Sequence, residues 1–422
     1  MNRRTIVSCL TLLCIVASCS TTEESWTQFR GPGGLGTSEG RRVPEQWGRD
    51  YHVVWRTKLP GPGTASPIFL GNRIYVTAYS GYGLKPSEGD VNQLMRHLVC
   101  INRMSGEIRW SKPFVPVQPE SPYEGEGSYH GYSSSTPTTD GKRLYVFFGK
   151  SGVFCFDLNG KQLWRREVGD GTRLWGSAAS PILHDDLLIV NASVESGTIY
   201  AFDKMTGEEV WQAKDIGEAW NTPLLIDLPR GTELVVAVQG HMLGFDATTG
   251  KKLWNADGIH RYVCPSPIAH DDIVYAIGGG HTSLAVRAGG LGDVTESRVL
   301  WREQGGSNVS SPVYHDGYLY WASDHRGIVY CQNAETGEYA YKSRLTPPSG
   351  KFYASPVLVD DRIYYVSQHN GTYVVAAKPE FELLAHNVIT DDDSRTNASP
   401  VVMDGRLLLR SDRYLYCIGR RQ

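Results

Sequence analysis

SSPVYHDGYLYWASDHRGIVYCQNAETGEYAY, Ser310 to Tyr341, holds serines, a His-Asp pair (His315, Asp316), an Asp-His-Arg run (Asp324, His325, Arg326) and a cysteine, Cys331. In isolation it has the contents of a catalytic site, yet it is one copy of a pattern that the whole chain repeats. A Ser/Thr-Pro marker followed by an apolar run occurs at Ser66-Pro67, Thr136-Pro137, Ser180-Pro181, Thr222-Pro223, Ser266-Pro267, Ser311-Pro312, Ser355-Pro356 and Ser399-Pro400. Successive markers are 70, 44, 42, 44, 45, 44 and 44 residues apart, and the first interval carries two insertions. Such a period is the signature of a repeat architecture.

Each copy continues alike. About four residues after the marker comes a turn pair such as Asp140-Gly141, Asp185-Asp186, Asp316-Gly317 or Asp404-Gly405, residue types that tolerate tight turns. A second apolar strand follows (RLYVFF, YLYWAS, RIYYVS), then a glycine-containing loop and a third strand (VFCFD, IYAFD, IVYCQN). A turn through glycine leads to a fourth strand with a Trp, pairing Gly106 with Trp110, Gly160 with Trp164, Gly207 with Trp211 and Gly250 with Trp254. Trp301 and Tyr341 end the fourth strands of repeats five and six. Four short strands per repeat, eight times, predict an all-β, eight-bladed β-propeller of four-stranded blades. A solenoid is the alternative, but the last repeat stops at LYCIGRRQ after its third strand. HVVWRTKLPG, with Trp55, is available near the N-terminus to complete it. Pairing that strand with the last three closes the ring and removes the open sheet edge. Trp55, Trp110, Trp164, Trp211, Trp254 and Trp301 are then the expected blade-docking residues.

Alignment on the third strand puts Cys100, Cys155, Cys331 and Cys417 in one slot with Ala201, Gly244, Ala285 and Val375, a position suited to small side chains. Equivalent points on separate blades are too far apart for bridging, so these cysteines and Cys264 are expected to be reduced and structural.

AFDKMTGEEVW (Ala201–Trp211) and GFDATTGKKLW (Gly244–Trp254) resemble the tryptophan-docking repeat of the quinoprotein-like (PQQ-like) β-propellers, across essentially everything after Trp26. The opening WTQFRGPGGLGTSEG is similar to bacterial proteins of this family related to the BamB-type barrel-assembly lipoprotein. The resemblance implies a fold and an exported setting rather than one activity. Its enzymatic branch holds pyrroloquinoline quinone between a Trp and a vicinal disulfide, beside a calcium bound by Glu, Asn and Asp. No two cysteines are adjacent here, and Cys-x-x-Cys-His is missing, so neither PQQ with calcium nor haem is expected. The scaffold branch implies a non-catalytic envelope protein.

Lysine and arginine total 42 against 45 acidic residues, and no basic run stands out, so nucleic acid is not an expected partner. MNRRTIVSCLTLLCIVASCS has a positive start and an apolar stretch too short to span a membrane. Val16-Ala17-Ser18-Cys19 resembles a lipobox; the alternative is an ordinary signal peptide with an incidental cysteine. The expected organisation is a signal peptide over 1–18, a lipidated and wrapping segment over 19–50 and the propeller over 51–422, with Cys19 acylated. Ser20 favours the outer membrane, periplasmic side, while Glu23-Glu24 leaves surface export open.

Catalytic signatures such as His-Glu-x-x-His and Cys-x-x-Cys are missing. His184-Asp185, His270-Asp271 and His315-Asp316 repeat at the same turn, which marks turn chemistry rather than three dyads. Asp391-Asp392-Asp393 lacks calcium-loop spacing and is expected to be a solvated loop. The opposite rim carries the candidate binding residues: His241, His281, Asp324, His325, Arg326, His369 and Asn370 on second-to-third-strand loops, with Arg413 on the eighth. Arg173, Trp175 and Tyr132 join them, among further aromatics including His130, Trp220 and Tyr353. Such a mouth suits an envelope protein, a peptide, a glycan or a small anion, although loops are polar and aromatic on structural grounds alone. No metal site is expected, because ligands on neighbouring blades do not converge. The sequence reads as a monomeric propeller that binds rather than catalyses, with an enzyme using the central funnel as the alternative.

Overall fold

The computed structural model describes residues 25–40, 42–84, 89–123, 128–173, 175–279 and 282–420. Cys19 and the signal segment, His281, Glu124 and Glu126 lie outside them. Eight sheets with antiparallel four-stranded cores form the ring, and seven of them have those strands in chain order from the axis outward. Blade six, from the opening stretch, is Val313–His315, Tyr318–Ala322, Ile328–Asn333 and Tyr339–Arg344. Blade eight combines Val401–Met403, Arg406–Arg410 and Tyr414–Ile418 with Val53–Lys58, and Trp55 faces Cys417 across the closing pair. The expected closure is therefore the observed one.

The Ser/Thr-Pro markers meet at the axis. The backbone N–H of Ser66 donates to the Thr136 hydroxyl at 3.0 Å, Thr136 N–H to Ser180, and Ser180 N–H to Thr222 at 2.9 Å. Thr222 continues to Ser266, Ser266 to Ser311, Ser311 to Ser355 and Ser355 to Ser399. The Ser66 hydroxyl closes the circle on the Ser399 carbonyl at 2.9 Å. Seven blades thus satisfy a buried N–H of a neighbour and the eighth link runs from a hydroxyl to a carbonyl, each bond worth about 1 kcal/mol net and more to break.

The outer contacts repeat as well. Trp55 covers Gly106 of blade one, Trp164 covers Gly207 of blade three and Trp301 covers Gly337 of blade six. The indole N–H of Trp55, Trp164 and Trp301 donates to the carbonyls of Arg103, Lys204 and Ala334, three residues before those glycines. Trp110 and Trp211 sit likewise over Gly160 and Gly250. Trp254 departs from the expected docking. Its ring lies over Gly244 of its own blade, its N–H donates to Glu233 Oε2 at 2.7 Å, and Gly292–Asp293 from the blade-five hairpin pairs beside it. That hairpin covers the ring, so the slot residue beneath must be glycine.

The slot itself is confirmed, with one correction. Cys100, Cys155, Ala201, Gly244, Ala285, Cys331 and Cys417 each lie opposite the fourth-strand aromatic, next to a β-bulge. In blade seven the equivalent is Val374, opposite Ala385, and not Val375, because the preceding loop is one residue shorter. All five described cysteines are unpaired. The turns also stand: Asp185, Asp271, Asp316, Asp360 and Asp404 all adopt φ between 46° and 52°.

Trp26 to Ser38 runs through the ring near the axis. Trp26 bridges Phe69 of blade one, the Thr27 carbonyl accepts from Thr139 of blade two, and Thr37–Ser38 pairs in parallel with Val357–Val359 of blade seven. Arg30, itself at φ 61°, donates to the carbonyls of Gly34, Leu35 and, across the channel, Pro312 of blade six.

Gly207 and Gly141 both hold positive φ, 72° and 87°, but a Cβ on Gly207 would lie 2.7 Å from the Trp164 ring whereas Gly141 faces open space. Gly207→Ala is expected to lose about 1–3 kcal/mol more stability than Gly141→Ala in urea denaturation. Equal losses would show that the Trp164 contact relaxes without cost.

Candidate functional site

Above the hydroxyl ring the axis opens into a cavity of about 680 Å³, its mouth included. Its wall is built by a simple rule. Thr64, Ser134, Ala178, Trp220, Cys264, Val309, Tyr353 and Asn397 all line it, and each stands two residues before a Ser/Thr-Pro marker. Thr222, Ser266, Ser311, Ser355 and Ser399 of the hydroxyl ring lie beneath, and Phe29 of the axial segment is the floor. His130 and Trp175, from the loops leading to blades two and three, complete the wall. Two rings are therefore stacked: a lower one of uniform chemistry and an upper one whose residue changes with every blade.

The aromatic groups are fixed by one another. Trp175 packs edge-to-face on Trp220, centroids 5.0 Å apart, and on Tyr262 at 4.5 Å. The Trp220 indole donates to the Gly176 carbonyl at 2.7 Å, and His130 packs against Tyr353 at 5.5 Å. Enclosure lowers the His130 pKa to about 4, reinforced by the charge of Arg395, so the imidazole is neutral at pH 7. Desolvation holds the Cys264 thiol well above its usual range, which suppresses the thiolate that nucleophilic chemistry requires. The described residues lining the cavity include no Asp, Glu, Lys or Arg.

Of the rim residues singled out in the sequence, the aromatic residues Trp175, His130, Trp220 and Tyr353 line the cavity, and the other described ones do not. His241 begins an outer strand and is exposed. Asp324 is buried, accepting from Asn308 Nδ2 at 2.8 Å and pairing with His325 at 2.7 Å, so this pair ties the blade-six loop to the preceding connection. The carbonyls of Arg326 and Asn370 accept from Arg344 and His386. His369 faces a separate groove between blades seven and eight. Arg173 pairs with Glu218 at 2.6 Å and Arg413 with Asp393 at 2.8 Å. Tyr132 is buried against Tyr79, Tyr82 and Tyr123. The described histidines of the second-to-third-strand loops thus do not converge, and the described residues contain no cluster able to hold a metal ion. Asp391 is engaged by Arg56, and Asp392 by Ser394 and Tyr416.

Sequence reading missed two things. The position two before each marker defines the cavity wall, a signal present in the repeat but masked by its varied residue types. Buried ionisable groups were also missed: Arg96 with Glu120 at 2.7 Å, and Glu195, which accepts from the Ser177 hydroxyl. Burial raises the Glu195 pKa to about 7, partly offset by that hydroxyl.

The family model described as outer membrane protein assembly factor BamB matches residues 91–276, 192–380 and 289–413. The chain belongs to this family. BamB of Burkholderia pseudomallei is 23% identical over 403 residues, covering 80% of this chain and 89% of that protein. Tetrathionate hydrolase of Acidithiobacillus ferrooxidans is 22% identical over 331 residues, 69% of this chain, which spans 61% of that enzyme's length. The solved quinohemoprotein alcohol dehydrogenase of Comamonas testosteroni shares the fold, with a TM-score of 0.65 at 11% identity over 94% of this chain and 81% of that one. Among the described residues lining the cavity, Cys264 is a single unpaired thiol and none offers a carboxylate for calcium.

Because the neutral form of Glu195 favours folding, its contribution is intact below about pH 4.5 and is lost as pH rises through about 7. Glu195→Gln should therefore gain stability over the parent as pH rises across that window, by about 1.4 kcal/mol for every tenfold fall in proton concentration, and match it in acid. Urea denaturation at pH 4, 6 and 8 measures this; a pH-independent difference would show that Glu195 ionises without penalty.

Proposed function

We propose that this protein is an exported, lipid-anchored propeller that binds a component of the bacterial envelope and does not catalyse a reaction on it. The observation that carries the proposal is the BamB-family match extending over residues 91–413. The BamB relatives are named as outer-membrane assembly factors, which supports an envelope location and an envelope-protein partner. The Cys19 lipobox read from the sequence supplies the anchor, on the periplasmic side of the outer membrane. The face bearing the cavity mouth is the binding face, since its loops vary between blades while the axis below is uniform.

A hydrolytic reading has one observation in its favour, the alignment with tetrathionate hydrolase. The neutral cavity and its protonated thiol argue against it, because hydrolysis needs a base or an activated nucleophile.

Cys19→Ala is expected to move the protein from the membrane fraction to the soluble fraction. Crosslinking of the anchored parent should capture an envelope protein. Purified protein should release no thiosulfate from tetrathionate and oxidise no alcohol with added PQQ and calcium. Turnover in either assay would overturn the binding reading, and unchanged fractionation of Cys19→Ala would remove the anchor.

A further inference from the structure

We infer that the axial cavity is a binding site for a neutral sugar residue, presented at the end of a glycan. This inference rests on the binding reading above and specifies what one part of the binding face takes. Phe29 lines the lower end of the cavity, held there by Arg30 and by the flanking pairing of Trp26 with blade one and Thr37–Ser38 with blade seven. A ligand entering from the loop face meets it as the base.

The floor ring is a set of donors. Thr222, Ser266, Ser311, Ser355 and Ser399 each accept a neighbouring blade's N–H through the hydroxyl oxygen, which leaves their own O–H to donate. They lie side by side around the bottom of the cavity. A ligand matching them offers several oxygen acceptors close together. The wall above is aromatic, with Trp175, Trp220 and Tyr353 at cavity level, and Trp175 keeps part of its ring exposed there. A ligand matching that wall has an apolar face. Both requirements on one small body describe a pyranose, whose C–H face packs on an aromatic ring while its hydroxyls bond at the rim.

Charge disfavours ionic occupants. With no acidic or basic side chain among the described lining residues and His130 neutral, a phosphate, a carboxylate or a peptide terminus would exchange its hydration for neutral hydroxyls alone, without a counter-charge. Arg395, whose charge acts on His130, is held by Asp412 at 2.9 Å.

The test is a glycan array probed with the purified mature protein, followed by tryptophan-fluorescence and calorimetric titration of each hit. The array carries neutral gluco-, manno-, galacto-, xylo- and N-acetylglucosamine oligomers beside uronic-acid oligomers, with neutral tripeptides titrated in parallel. Binding of a neutral oligosaccharide is expected, weakened about tenfold or more by Trp175→Ala, the scale of a lost aromatic contact. Ala178→Phe, which fills the cavity from its wall, should weaken it similarly, and His270→Ala on the opposite face should not. Circular dichroism and thermal melts verify that each variant folds. Binding of no neutral glycan, preference for uronic acids or peptides, or binding that survives both cavity variants would each overturn the inference. Crosslinking of the parent to its envelope partner separates the two readings: retained capture by a parent that binds no neutral glycan sinks this one alone.

Discussion

The hydroxyl ring at the axis is the contact on which the rest depends. Eight blades must present their innermost strands at equal intervals, and those strands are edges whose N–H groups face the channel. Proline removes one such donor at the start of each inner strand, where an edge tolerates it. The residue before it directs its N–H to the next blade's hydroxyl, as Ser180 does to Thr222. A buried N–H that would otherwise be unsatisfied thus becomes the link between blades. The geometry fixes the chemistry of the marker but not the length of chain between markers, so blade one absorbs a 70-residue interval without breaking the circle.

Farther from the axis the blades are wider apart, and a larger group is needed to join them. Trp over glycine serves there, because a positive-φ glycine lets the ring approach the backbone while the indole N–H finds a carbonyl three residues earlier, as with Trp55, Gly106 and Arg103. Closure uses the same device: Trp55 arrives from the N-terminal strand and docks on blade one as an ordinary blade-eight residue would. Where a Trp link is present, as from blade eight to one, one to two, two to three, three to four and five to six, hydroxyl contacts inside and Trp outside hold neighbouring blades at two radii, which fixes their angle as well as their distance.

These features were legible because they repeat. The marker appears eight times, the turn aspartates in six blades and the Cys/Ala/Gly slot in seven, and the fourth strand is missing from the last repeat once. Features made by convergence were not legible. Phe29 and Arg30 reach the axis only because the ring surrounds them, and nothing local in WTQFRGPGG says so. The structure does explain its spelling: a Cβ on Gly31 would meet the Trp26 ring at 2.6 Å, and one on Gly36 would meet the Arg30 guanidinium at 2.7 Å. His325 and His369 were chosen for their loops, yet those loops turn outward, and the connections between blades reach the cavity instead. Trp254 was misassigned because its partner is an insertion that the repeat does not contain.

The contrast between the two axial rings bears on how such a propeller acquires specificity. Changing a lower-ring hydroxyl breaks a link between blades, so that ring is constrained to Ser or Thr. The upper ring, two residues earlier, holds Thr, Ser, Ala, Trp, Cys, Val, Tyr and Asn in its eight places and is joined by side-chain bonds only locally, as where the Thr64 hydroxyl donates to Ser134 at 2.9 Å and Asn397 bonds Gln368 and the Tyr129 carbonyl. Its chemistry is therefore less constrained than that of the continuous lower ring, which makes it the natural carrier of ligand choice. The charges near the axis are kept out of it. Arg30 and Arg410 are buried, yet each directs its guanidinium to backbone carbonyls, including Pro312 and Ala65, and burial lowers their pKa to about 9 and about 10 without neutralising them. Carbonyl dipoles solvate these cations in place of water or a carboxylate. The fold therefore anchors its axial segment with charge while leaving the cavity above it neutral.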